Sequence, residues 1–167
     1  MSLAELGISP GKVETIEQVG HYVDDPLAAF AHLCGNKNNA LLLESAEIDS
    51  KDDLQSLLMV DAALRMECRG NRVEVKALTG NGASVLPLFV DHAPDGLHIK
   101  ERTDTSITLV CDEADGELDE DSRLKAASVM DALRIVINKI TPIRQHPHAV
   151  FLGGVFAYDM LAGFEKL

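Results

Sequence analysis

Apolar and polar positions alternate along this chain in blocks that read as short helices and hairpins. Val13, Ile16, Val19 and Tyr22 recur among polar residues, and their β-branched content predicts a strand within Lys12–Tyr22. Asp25-Pro26 then opens a helix. Asp25 can accept from free N–H groups, Pro26 suits the first helical position, and Leu27, Phe30, Ala31, Leu33 and Cys34 share one face before Gly35 ends the run. After Asn38-Asn39 comes Ala40–Glu44, an uninterrupted apolar run closed by a carboxylate, which reads as a buried strand. Ser50-x-x-Asp53 resembles a capping box, so a second helix is expected with Leu54, Leu57 and Leu58 inward.

The middle of the chain has the sharpest patterns. Asp61–Arg69 and Arg72–Leu78 flank Gly70-Asn71, a two-residue hairpin turn. Val73, Val75 and Ala77 alternate there with Arg72, Glu74 and Lys76, so one face is wet and its charges are solvated. Asn81 and Gly82 break the pattern, and Ser84–His92 is predicted to be helical with Val85, Leu86, Phe89 and Val90 inward. Leu97–Arg102 and Ser106–Cys111 form a second hairpin turning at Thr103-Asp104, followed by an acidic loop over Asp112–Asp121. Ser122–Ile140 carries a broad apolar stripe and is expected to be one long helix stopped by Pro142. Ala149–Phe156 is apolar throughout and reads as a central strand, its Gly153-Gly154 pair marking a bulge or close approach. A further helix is expected to begin at Tyr158-Asp159.

Helices and hairpins that alternate without a long βαβ series predict an α+β fold with largely antiparallel sheets and flanking helices. The 167 residues are enough for a single domain with a substantial core. A formal net charge of −12 argues against nucleic acid or an anionic membrane as partner. No apolar run approaches the ~20 residues of a membrane span, and no signal-peptide pattern opens the chain. Cys34, Cys68 and Cys111 are widely spaced, each near apolar residues, which fits reduced, buried thiols in a cytoplasmic protein.

Few residues carry candidate chemistry. No nucleophile or phosphate-cradling motif is present. Thr79-Gly80-Asn81-Gly82 has the glycines of an anion loop, but such pairs more often serve turn geometry. The acidic loop lacks the glycine and closing Glu of a calcium-binding loop, and nothing adjacent completes a coordination shell for His146 and His148. Glu44 and Ser45 stand out because they end an oily strand. A carboxylate at the edge of a core needs a cation, donors or an exit to water. It can hold the ammonium of a small ligand, or it can simply mark where the strand leaves the core.

The string from Leu41 through Glu44-Ser45-Ala46-Glu47-Ile48-Asp49 to Leu58 resembles the family of anthranilate synthase component I. So do Val60–Arg65 (VDAALR), Ala77–Gly82 (ALTGNG), Leu118–Leu124 (LDEDSRL) and Phe151–Asp159 (FLGGVFAYD) with Ala162–Glu165 (AGFE). These strings occur in the family's order and cover roughly Asp24 to the C-terminus.

The resemblance implies that residues 1–167 are a single N-terminal domain or fragment, an incomplete part of the two-sheet, four-layer chorismate-utilising fold. It implies a parent lyase that converts chorismate to anthranilate and pyruvate, with ammonia from a glutamine amidotransferase subunit and a Mg²⁺ ion. Leu43, Glu44 and Ser45 are then part of a pocket for the feedback inhibitor L-tryptophan. The Mg²⁺ ligands and catalytic residues fall outside this segment, which is expected to be inert alone and to self-associate through uncovered apolar faces. The alternatives are a free-standing amino-acid-binding or interaction module, and the N-terminal part of 4-amino-4-deoxychorismate synthase component I.

Overall fold

A computed structural model describes residues 11–44, 56–112 and 120–157. They are α+β, with helices and largely antiparallel sheets. The chain divides into two compact units. One holds the described parts of Met1–Thr15, Ala63–Phe151 and Val155–Leu167; the other holds those of Ile16–Ala62 and Leu152–Gly154.

The larger unit is built on a four-stranded antiparallel sheet of β4 (Leu64–Arg69), β5 (Arg72–Ala77), β6 (Leu97–Arg102) and β7 (Ser106–Cys111), in the order β4-β5-β7-β6. Both predicted hairpins form. Arg69 pairs with Arg72 around Gly70-Asn71, where Gly70 has φ +59°. Glycine first is the order a type II′ turn requires. Val73 and Val75 are wholly buried while Arg72, Glu74 and Lys76 face water, the expected alternation. The ladder between β6 and β7 slips between Ile99 and Glu101, a bulge on an edge strand.

Helix α2 (Gly80–His92) packs against β5 and β7, and α4 (Met130–Lys139) packs against α2. Leu86, Leu88 and Phe89 from α2, and Ala132, Ile135 and Val136 from α4, close the core over Val73, Val75, Ile107 and Leu109. Each of these Val, Leu, Ile and Phe side chains contributes about 1.5–3 kcal/mol by leaving water. Two short strands, β1 (Lys12–Val13) and β8 (Thr141–Pro142), form a small parallel bridge. It is extended by an Arg144 Nε–Glu14 Oε1 contact of 2.6 Å.

In the smaller unit, α1 (Pro26–Cys34) forms as expected. Asp25 Oδ1 accepts from Ala28 N at 2.8 Å, and Gly35 ends the helix with φ +52°. Strands β2 (Leu41–Glu44) and β3 (Ser56–Met59) pair antiparallel as a separate two-stranded sheet.

Several expectations are corrected. The strand over Lys12–Tyr22 stops at Val13; Ile16, Val19 and Tyr22 are exposed on irregular chain. Leu57 and Leu58 belong to a strand rather than a helix face, because they ladder with Leu43 and Leu42; Ser50 and Leu54 lie outside the described residues. Helix α2 begins at Gly80 rather than Ser84, since Thr79 Oγ1 accepts from Gly82 N at 3.1 Å. The long helix is two pieces, α3 (Glu120–Lys125) and α4. A new start is made where Asp131 Oδ2 accepts from Ser128 N at 2.8 Å, so Ile135 is buried and Ile137 is exposed. Ala149–Phe156 forms no strand: it finds no ladder partner among the described residues, and Val155 is 91% exposed. Cys34 and Cys111 are buried, but Cys68 is exposed. Glu113–Asp119 of the acidic loop and the helix expected from Tyr158 lie outside the described residues.

Candidate functional site

Strand β2 positions the candidate residues. Its ladder with β3 pairs Leu41 with Met59, Leu42 with Leu58, Leu43 with Leu57 and Glu44 with Ser56. Successive side chains on a strand leave from opposite faces. Leu43 therefore shares a face with Leu57, and Glu44 shares the other with Ser56. A ligand that touches both Leu43 and Glu44 has to wrap the end of the strand. Leu43 is 46% exposed. Glu44 is exposed, and its side chain makes no hydrogen bond or ion pair among the described residues. Ser45 lies outside the described residues. All six apolar residues of the ladder keep some exposure, and an isolated two-stranded sheet is marginal in water.

Several other charges among the described residues are engaged. Lys37 Nζ reaches Asp61 Oδ1 at 2.6 Å in the smaller unit. On the wet face of the four-stranded sheet Arg65 and Arg69 both bond Glu67. The Arg69 guanidinium, then Arg65, hold the Glu67 carboxyl below the usual carboxylate range. Arg72 lies 3.7 Å from Glu101, and His98 Nε2 lies 2.9 Å from Asp112.

Burial pushes the Cys111 thiol up, with Asp131 and Asp112 adding to the effect; partial desolvation does the same to Cys68. Neither is an activated nucleophile, for which the thiolate must be favoured. His148 N donates to His146 Nδ1 at 3.1 Å, which occupies that ring nitrogen. Among the described residues no three His, Cys, Asp or Glu converge to hold a metal ion. No described helix is long and apolar enough to cross a membrane.

No family model matches the chain. Individual proteins do. Anthranilate synthase component 1 of Escherichia coli is 44% identical over 155 residues, 93% of this chain and 30% of that protein. The protein of the same name in Vibrio parahaemolyticus is 44% identical over 157 residues, 94% of this chain and 29% of that protein. The one in Buchnera aphidicola of Acyrthosiphon pisum is 35% identical over 91% of this chain. This chain is similar to anthranilate synthase component 1. Identity at this level over nine-tenths of the chain agrees with the resemblance carried by the Leu41–Leu58 string. The chain spans about 30% of the length of the component 1 proteins it matches.

Proposed function

We propose that this chain corresponds to the N-terminal, regulatory region of anthranilate synthase component 1. The reading is carried by one observation: similarity to component 1 extends over nearly the whole chain and a minority of each relative's length. The whole protein would convert chorismate and ammonia to anthranilate and pyruvate in tryptophan biosynthesis. The second component that the relatives' name implies would be a glutamine amidotransferase.

The chemistry of Glu44 suits the regulatory part. An exposed, unpartnered carboxylate at a strand end offers charge-assisted acceptance to the α-ammonium of tryptophan. Leu43 offers apolar contact to an indole, and Ser45 would supply a hydroxyl. The remaining pocket wall, and the reaction itself, belong to the rest of the component 1 polypeptide. A ligand held between β2 and that remainder favours whichever relative placement it binds better, and so couples to catalysis. The Mg²⁺ of the whole protein would be held by residues of the rest of the component 1 polypeptide.

The exposed apolar side chains Ile16, Val19, Tyr22 and Phe156 fit surfaces that further polypeptide covers, by self-association where the remainder is missing. The β2–β3 ladder fits an incomplete portion of the two-sheet chorismate-utilising fold.

Two measurements on the isolated chain test the proposal. With chorismate, ammonium and Mg²⁺ it should form no anthranilate, followed by fluorescence. Calorimetry with L-tryptophan should give a Kd weaker than about 1 mM, because half the contacts are missing at ~0.5–1.5 kcal/mol per hydrogen bond. Anthranilate formation, or micromolar tryptophan binding, overturns the division of labour proposed.

A further inference from the structure

An open groove of about 420 Å³ lies between the side of α2 and the tip of the β6–β7 hairpin. That volume is within the range of small-molecule sites. Ala83, Leu86 and Pro87 line it from the helix, and Arg102, Thr103 and Asp104 from the hairpin. The helix wall is fixed, because Leu86 is a core residue. Pro87 has no backbone N–H, so the Ala83 carbonyl loses its usual helical donor four residues on.

The Thr103 hydroxyl is already engaged. It lies 2.8 Å from Ser106 Oγ and accepts from Thr105 N at 3.2 Å, which holds the turn. Arg102 and Asp104 differ from it. Neither side chain makes a hydrogen bond or ion pair among the described residues, with each other or with anything else. On the same sheet Arg65, Glu67 and Arg69 pair at this spacing, whereas Arg72, Glu74 and Lys76 do not pair with one another.

An unpaired cation and an unpaired anion beside an apolar wall are the complement of a zwitterion. The Arg102 guanidinium can take a carboxylate in a forked pair. Asp104 and the Ala83 carbonyl can take an ammonium. The half-buried Ala83 and Pro87 can take an aliphatic side chain. We propose that this groove is a site for an aliphatic α-amino acid. It shares no residue with Leu43, Glu44 and Ser45, and it does not depend on the regulatory reading of them.

The test is an amide-resolved NMR titration of the whole chain with L-leucine. Its two single-charge analogues, 4-methylpentanoate and 3-methylbutylamine, run alongside. Saturable shifts are expected at the amides around Ala83 and Leu86 and at Arg102–Thr105. An exposed ion-pair site of this kind should give a Kd of roughly 1–10 mM. Each analogue should bind several-fold more weakly. Arg102→Gln and Asp104→Asn should each weaken leucine binding about threefold or more while the rest of the spectrum stays in place. The proposal is overturned by absence of saturable shifts at these amides up to about 50 mM. Equal binding of a single-charge analogue overturns it too, as does wild-type leucine affinity in either variant.

Discussion

Gly82 shows how tightly one residue can be specified. It sits in the first turn of α2, where a Cβ would lie 1.9 Å from the carbonyl oxygen of Ala63. That oxygen accepts from Leu78 N at 2.9 Å and so is held in place. Gly80, two residues earlier, has open space around it. Gly82→Ala should therefore lower stability by about 2 kcal/mol or more in urea titration, as overpacking does, while Gly80→Ala should leave it unchanged or slightly raised. Equal effects of the two would mean that the approach of α2 to Ala63 is wrong.

Glu67 gives a pH test at the same scale. Arg69, then Arg65, lower its folded pKa. A lowered carboxylate contributes stability that is present above its unfolded pKa of about 4.3 and is lost as pH falls through the folded value. The side-chain NMR titration of Glu67 should fall below that of an exposed glutamate and move up in Arg69→Ala.

At the scale of elements, the central hairpins were legible in the sequence because their signals are local. Gly70-Asn71 fixes a turn, and strict alternation of Val73 and Val75 with charges fixes a face. The Asp25-Pro26 start and Gly35 stop of α1 were legible for the same reason. Longer readings failed where one local contact outweighed periodicity. The apolar stripe over Ser122–Ile140 fits one helix, yet the Asp131 carboxylate bonding Ser128 N restarts it. The Ser128-x-x-Asp131 spacing was the available signal, hidden inside a good stripe. Asp131→Ala should lower stability by about 1 kcal/mol, seen as a lower unfolding midpoint; no change would leave the break in the helix unexplained. Leu57 and Leu58 fit a helix face as well as a strand, and only pairing with β2 decides between them. Ala149–Phe156 has a strand's composition, but a strand needs a neighbour, and composition does not say whether one is there.

At the scale of the whole molecule, the similarity to component 1 was legible from strings and the candidate site only in part. Leu43 and Glu44 do lie at the end of a strand, as their order in the sequence suggested. That they leave opposite faces follows from the ladder with β3. The two compact units divide the work of the chain. The larger closes its own core around Val73, Phe89 and Leu109, while the smaller carries a two-stranded ladder whose leucines stay partly exposed. Such a ladder suits a surface completed by more polypeptide, as proposed for this chain.

The most direct test of the regulatory reading uses a full-length component 1 polypeptide that carries this region, assayed for tryptophan inhibition as wild type, Glu44→Gln and Ser45→Phe. Losing one charge-assisted hydrogen bond should raise the half-inhibitory tryptophan concentration about tenfold or more, with kcat/KM for chorismate within about twofold of wild type. An unchanged inhibition curve in both variants would place the inhibitor elsewhere and contradict the account.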